Sequence, residues 1–130
     1  MVTITARDLI YTLPVGRVSH RHKGGRMNTL KFVVVLFQEE GGWVSQCLNY
    51  DVAAQGDTIA EAREALAQTL AEHIVLAVHH GEQPFAGIPP APIEYWAKFR
   101  DAERLADIQP IFVPAAYMIN AMADDVRVSA

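Results

Sequence analysis

A chain of 130 residues, 51% of them hydrophobic and 20% charged, has the size and composition of one globular domain with a real core. Its net charge of −4 argues against nucleic-acid binding through bulk charge, and the single cysteine, Cys47, excludes an internal disulfide framework and fits a reducing cytosol. The apolar runs fall far short of a membrane span and Arg7 and Asp8 interrupt any signal-like region, so a cytoplasmic protein without membrane attachment is expected.

Residues 1–29 read as an N-terminal extension, followed by a single domain over residues 30–130. Val2-Thr3-Ile4-Thr5 and Leu9-Ile10-Tyr11-Thr12-Leu13 have strand or hairpin character, whereas residues 19–26 look unstructured. Six of the 11 Lys and Arg residues lie within the first 31 positions. Arg17, Arg21, Lys23 and Arg26 form a candidate phosphate-contacting arm, with a solvated tail as the plain alternative. Lys23-Gly24-Gly25-Arg26-Met27 is also what a purine-rich ribosome-binding site and start codon would give if translated, which points to Met27 as the native start.

From Leu30 to Gln38 a run of β-branched and aromatic residues predicts a strand, and Glu39-Glu40-Gly41-Gly42 closes it with turn chemistry. Trp43 to Leu48 predicts an antiparallel partner, and Val52-Ala53-Ala54-Gln55 a third strand ended by Gly56. Thr58 and Glu61 have the spacing of a capping box, so a helix starts at Asp57 or Thr58. Ile59, Ala62, Leu66, Leu70, Ile74 and Val78 recur at helical spacing and predict the face that docks on the sheet, up to a stop at His79-His80-Gly81.

In the first strand Phe32, Val34 and Leu36 face one way and Val33, Val35 and Phe37 the other, so both faces of the sheet are apolar. One helix covers one face. The other needs the C-terminal third of the chain or another subunit, and a homodimer or higher homo-oligomer is expected on that ground.

Pro84 to Pro92 suits an extended, proline-rich connector. A second helix is predicted from Pro92 or Ile93 to Ala106, with Tyr95, Trp96, Phe99 and Ala102 near one face, either as core or as an anchor for a partner. Residues 110–114 predict a short edge strand bracketed by prolines, residues 115–123 one or two helical turns, and residues 124–130 a tail.

The order of strand, acidic Gly-Gly turn, Trp-led strand, short strand, and then Gln55-Gly56-Asp57-Thr58-Ile59-Ala60-Glu61-Ala62 opening a helix resembles the HicB antitoxin family over about Leu30 to Ile74. That resemblance implies a truncated ribonuclease-H-like, α+β fold: a three-stranded antiparallel sheet with one main helix. It also implies a partner, a small basic toxin of double-stranded-RNA-binding fold that cleaves messenger RNA and is blocked when its active site is covered. Where many relatives carry a Pro- and Gly-bearing turn, this chain has Leu48-Asn49-Tyr50-Asp51-Val52. About twenty residues follow Ile108, too few and too weakly basic for the operator-binding module of many relatives.

Two-metal nucleases of the ribonuclease-H fold place an essential carboxylate inside the first strand, and Phe32-Val33-Val34-Val35-Leu36 holds none. His79 and His80 have no Cys or His partner at ligand spacing, Ser45 and Cys47 no local base, and Gly41-Gly42 is a hairpin turn rather than a phosphate loop. A non-catalytic protein without cofactor or metal is therefore expected. Trp43, Tyr50, Asp51, Tyr95, Trp96 and Phe99 are the candidate partner-binding residues. The alternative to an antitoxin is a solitary, dimeric HicB-like domain that binds another protein or a small ligand through the Tyr50-Asp51 turn and the Trp96 helix.

Overall fold

The β-branched run begins two residues earlier than its apolar core suggests, and in the computed structural model it forms the longest strand of a mixed sheet. Residues 28–129 are described, together with the backbone pairing of Val2 and Thr3; Arg17, Arg21, Lys23, Arg26, the Leu9–Leu13 stretch and the Met27 start lie outside the described residues. In chain order the elements are β1 (Val2–Thr3), β2 (Asn28–Glu39), β3 (Gly42–Cys47), β4 (Val52–Gly56), α1 (Ile59–His79), α2 (Ile93–Arg100), β5 (Glu103–Arg104), β6 (Gln109–Ile111), a 3-10 turn (Ala115–Tyr117) and β7 (Ile119–Val128). The fold is α+β.

The antiparallel meander β2–β3–β4 is present, turning at Glu39–Gly42, and the sheet extends well beyond it. It runs β1-β4-β3-β2-β7-β5, with β6 also on β7; β1 is parallel to β4 and β7 is parallel to β2. The expectation of a three-stranded antiparallel sheet is corrected accordingly. The largest correction lies at the C-terminus. Residues 115–117 make a single 3-10 turn, Met118 takes a left-handed conformation at φ 56°, and the stretch expected to be helix and tail becomes β7.

A bulge explains how β7 serves one core. Phe32 pairs with Ala123 and Val33 with Asp125, so Asp124 is the extra residue. Before it Ala121 and Ala123 are buried in the α1 core, and after it Val126 joins the same core, which simple alternation would have sent to the other face.

α1 begins as its sequence predicts. The Glu61 amide donates to Thr58 Oγ1 at 3.1 Å, and Glu61 Oε2 accepts from the Asp57 amide at 2.8 Å. Gly56 sits beneath this first turn, where a Cβ would lie 2.5 Å from the Ala62 nitrogen. At the other end Gly81, with φ 68°, follows the His80 cap, and the Glu82 and Gly81 amides donate to the Ala77 and Val78 carbonyls. The buried face is Ala62, Leu66, Thr69, Leu70, Ile74 and Ala77, with Val78 only partly covered. Each of Leu66, Leu70 and Ile74 contributes about 1.5–3 kcal/mol by that burial.

The connector is not simply extended. Residues 84–87 are turns, and Phe85, buried at φ 65°, puts its ring between those of Tyr50 and His73 at centroid distances of 4.5 Å each. The chain then runs along the β3–β4 turn: the Asp51 amide donates to the Pro89 carbonyl and the Ala91 amide to the Leu48 carbonyl. This route carries α2 to the second face of the sheet. α2 stops at Arg100, six residues short of the predicted Ala106, because residues 103–104 pair with β7.

Tyr95, Phe99, Ala91 and Ala102 cover Val35, Phe37, Val44, Leu48 and Ala53. Arg127 on β7 lays its guanidinium 4.0 Å from the centre of the Phe99 ring and donates to the Phe99 carbonyl, while Asp125 accepts from its Nε and Nη2. The chain thus supplies its own cover for the face from which a homodimer was expected, and that reason for a second subunit lapses.

Candidate functional site

The six residues selected from sequence do not converge on one surface. Trp43 and Tyr50 pack against the α1-side core; Tyr50 stacks on Phe85 and meets Phe32 edge-on at 6.3 Å. Asp51 is buried and accepts from Gln46 Nε2 at 3.1 Å. On the opposite side Tyr95 packs against Phe37 at 5.7 Å, and burial, then Glu94, Glu39 and Asp51, pushes its phenol above the usual range. Phe99 lies under Arg127. Trp96, 37% exposed beside the 83% exposed Ile93, is the one member of the set that offers a large surface to solvent.

The Cys47 thiol is fully buried and pushed up to about 11 by desolvation, so it is protonated near neutral pH. Burial lowers the His73 imidazole below its ordinary value, Glu82 opposing, and its ring is stacked on Phe85. His79 Nε2 lies 3.1 Å from the Tyr117 hydroxyl, tying the end of α1 to the 3-10 turn. Among the described residues no group of three or more His, Cys, Asp or Glu side chains is placed to hold a metal ion. No helix among them is long and apolar enough to cross a membrane.

A second concavity, of about 370 Å³, lies at the β2–β3 turn among Glu39, Glu40, Trp43 and Asp57. The larger feature is a groove of about 700 Å³ along the outer side of α1, walled on the other side by residues 107–110 and Phe112. The helix wall has two rows at four-residue spacing. Ala67, Ala71 and Val75 form an apolar row; Glu64, Gln68 and Glu72, in line with Ala60, form a polar one. Phe112 is 86% exposed and Ile108 58%, two large apolar side chains left open to solvent on the lip of the groove.

The groove's walls are tied together. Arg63 Nη1 meets Asp107 Oδ2 at 3.1 Å, and Gln109 Nε2 donates to the Arg63 carbonyl. The guanidinium beside Asp107 holds that carboxyl below the usual range. Glu72 is shifted the other way, upward, by desolvation, with the Gln68 amide opposing. Its Oε2, and the Nε and Nη2 of Arg63, have no hydrogen-bond partner among the described residues.

Sequence reasoning missed this surface. Ala67, Ala71 and Val75 were legible as a second apolar row only once the sheet-facing row was assigned, and Phe112 read as an ordinary strand residue. Comparison of the chain with protein-family models, with curated proteins and with solved structures gave no match.

Proposed function

We propose that the chain is a non-catalytic binding module of the HicB antitoxin kind, which would neutralise a small basic messenger-RNA-cleaving toxin by masking its active site. The observation that carries this reading is the distribution of charge around an apolar groove. Residues 28–130 hold 14 of the 15 Asp and Glu residues but only six of the 11 Lys and Arg, and Glu64 and Glu72 of α1 line the groove beside the Arg63–Asp107 ion pair. Such a body attracts a basic partner and repels RNA, so it would compete for the surface the toxin uses on its substrate. The β2–β3–β4–α1 order and the capping box at Thr58 and Glu61 fit the family resemblance of the same stretch.

A second reading, a solitary domain that dimerises without any toxin, is favoured by Ile93 and Trp96, which leave an apolar spot on the outer side of α2. Co-expression with a short basic reading frame adjacent to the gene, followed by affinity capture and size exclusion, separates the two. The antitoxin reading expects a stable complex and restored growth. Growth arrest that persists, with the protein eluting alone as a dimer, favours the second.

A further inference from the structure

We propose that the groove between the outer side of α1 and residues 107–112 is the docking site for one amphipathic helix of a partner protein, with a row of large apolar residues flanked by Lys or Arg. This deepens, and rests on, the binding-module reading. Ala67, Ala71 and Val75 lie one turn apart, and a ridge of small side chains lets a second helix approach closely, its bulky row filling the trough. Phe112 and Ile108 stand on the opposite lip with 86% and 58% of their surfaces free, in the position of anchors that a partner would bury.

Charge selects a basic occupant. Asp107 already neutralises Arg63, so the polar row of α1 leaves Glu64 and Glu72 as the groove's charges without an ion-pair partner among the described residues. The Glu72 Oε2 atom is shielded from water and has no donor among the described residues, and desolvation raises its pKa. A lysine or arginine reaching over the apolar row would give that oxygen its missing partner. An acidic or purely apolar helix would bury the two carboxylates against like charge or against nothing.

The test titrates the full chain against a fluorescein-labelled synthetic helix with leucines on one face and flanking lysines, read by anisotropy, with the same peptide carrying glutamate for lysine as control. The lysine peptide is expected to bind, with affinity falling as salt is added, and the glutamate peptide not to bind. Phe112→Ser and the pair Glu64→Lys, Glu72→Lys should each weaken binding at least tenfold while leaving the thermal unfolding midpoint close to that of the parent. Equal binding of both peptides, or binding indifferent to these substitutions, overturns the assignment. So does a dimer of the parent protein that Phe112→Ser dissociates, which would make a second copy the occupant. Peptide binding that appears only in a Leu9→Ser, Ile10→Ser variant would hand the groove to the chain's own N-terminal segment. A toxin still neutralised by the groove variants would sink the docking site and leave the antitoxin reading standing; groove-dependent peptide binding without a toxin would do the reverse.

Discussion

Replacing Phe85 by alanine and, separately, by glycine tests how the connector is held. The ring is buried between Tyr50 and His73 and meets Phe32 edge-on at 5.4 Å, so losing it should cost about 3–5 kcal/mol. The backbone at φ 65° adds a second effect. An L-residue there carries about 1–2 kcal/mol of strain that glycine does not. Glycine's greater freedom in the unfolded chain takes back about 0.5–1 kcal/mol. Phe85→Gly should therefore be more stable than Phe85→Ala by up to about 1.5 kcal/mol, the reverse of the order these residues show in ordinary conformations. Urea unfolding followed by far-ultraviolet circular dichroism, with matched slopes for the two variants, measures the difference. An alanine variant more stable than the glycine variant, or a loss below about 1 kcal/mol in both, would refute the stacked, left-handed Phe85.

A chain ending at Met118 lacks the strand that joins β2 to β5 and β6 and should show no cooperative unfolding; Val126→Ala should cost about 2 kcal/mol, from about 0.8 for each of two methyl-sized groups plus a cavity. A cooperative transition in the shortened chain would contradict the assignment of β7. His73 has a folded pKa below its ordinary 6.5, so the stability it contributes is present above that pH and is lost as pH falls through the lower folded value. His73→Gln should flatten the stability profile between neutral pH and the acid side of 6.5, and an unchanged profile would count against burial as the cause. Cys47, buried with its thiol pushed up to about 11, should react with an aromatic disulfide reagent at pH 8 only in step with urea unfolding, whereas fast labelling of the native protein would show the strand exposed.

The first half of the domain was legible because its signals are local. Gly41-Gly42 sets the hairpin, Thr58 and Glu61 cap the helix, and the apolar period of α1 names its buried face. β7 was hidden for two physical reasons. Its Ala121, Met122 and Ala123 favour helix in isolation, and their strand conformation is imposed by pairing with β2, some ninety residues earlier in the chain. The bulge at Asp124 then breaks the alternation that would have betrayed a strand.

The aromatic stripe of α2 was visible, but only packing separates Tyr95 and Phe99, which close the second face, from Trp96, which stays out. Likewise the left-handed Phe85 depends on rings from α1 and the β3–β4 turn that no local pattern predicts. The groove needs both α1 and the 107–112 segment, joined by the Arg63–Asp107 pair across 44 positions. Distant partners of that kind leave no local spacing to read.

Titration of a short basic protein encoded beside the gene with this protein, in a messenger-RNA cleavage assay, bears most directly on the proposed antitoxin function. Cleavage should fall in proportion to added protein and vanish at a fixed stoichiometric ratio, with the RNA left whole by the protein alone. Cleavage undiminished at excess protein, or RNA cut in the absence of the toxin, would contradict an antitoxin that acts by covering an active site.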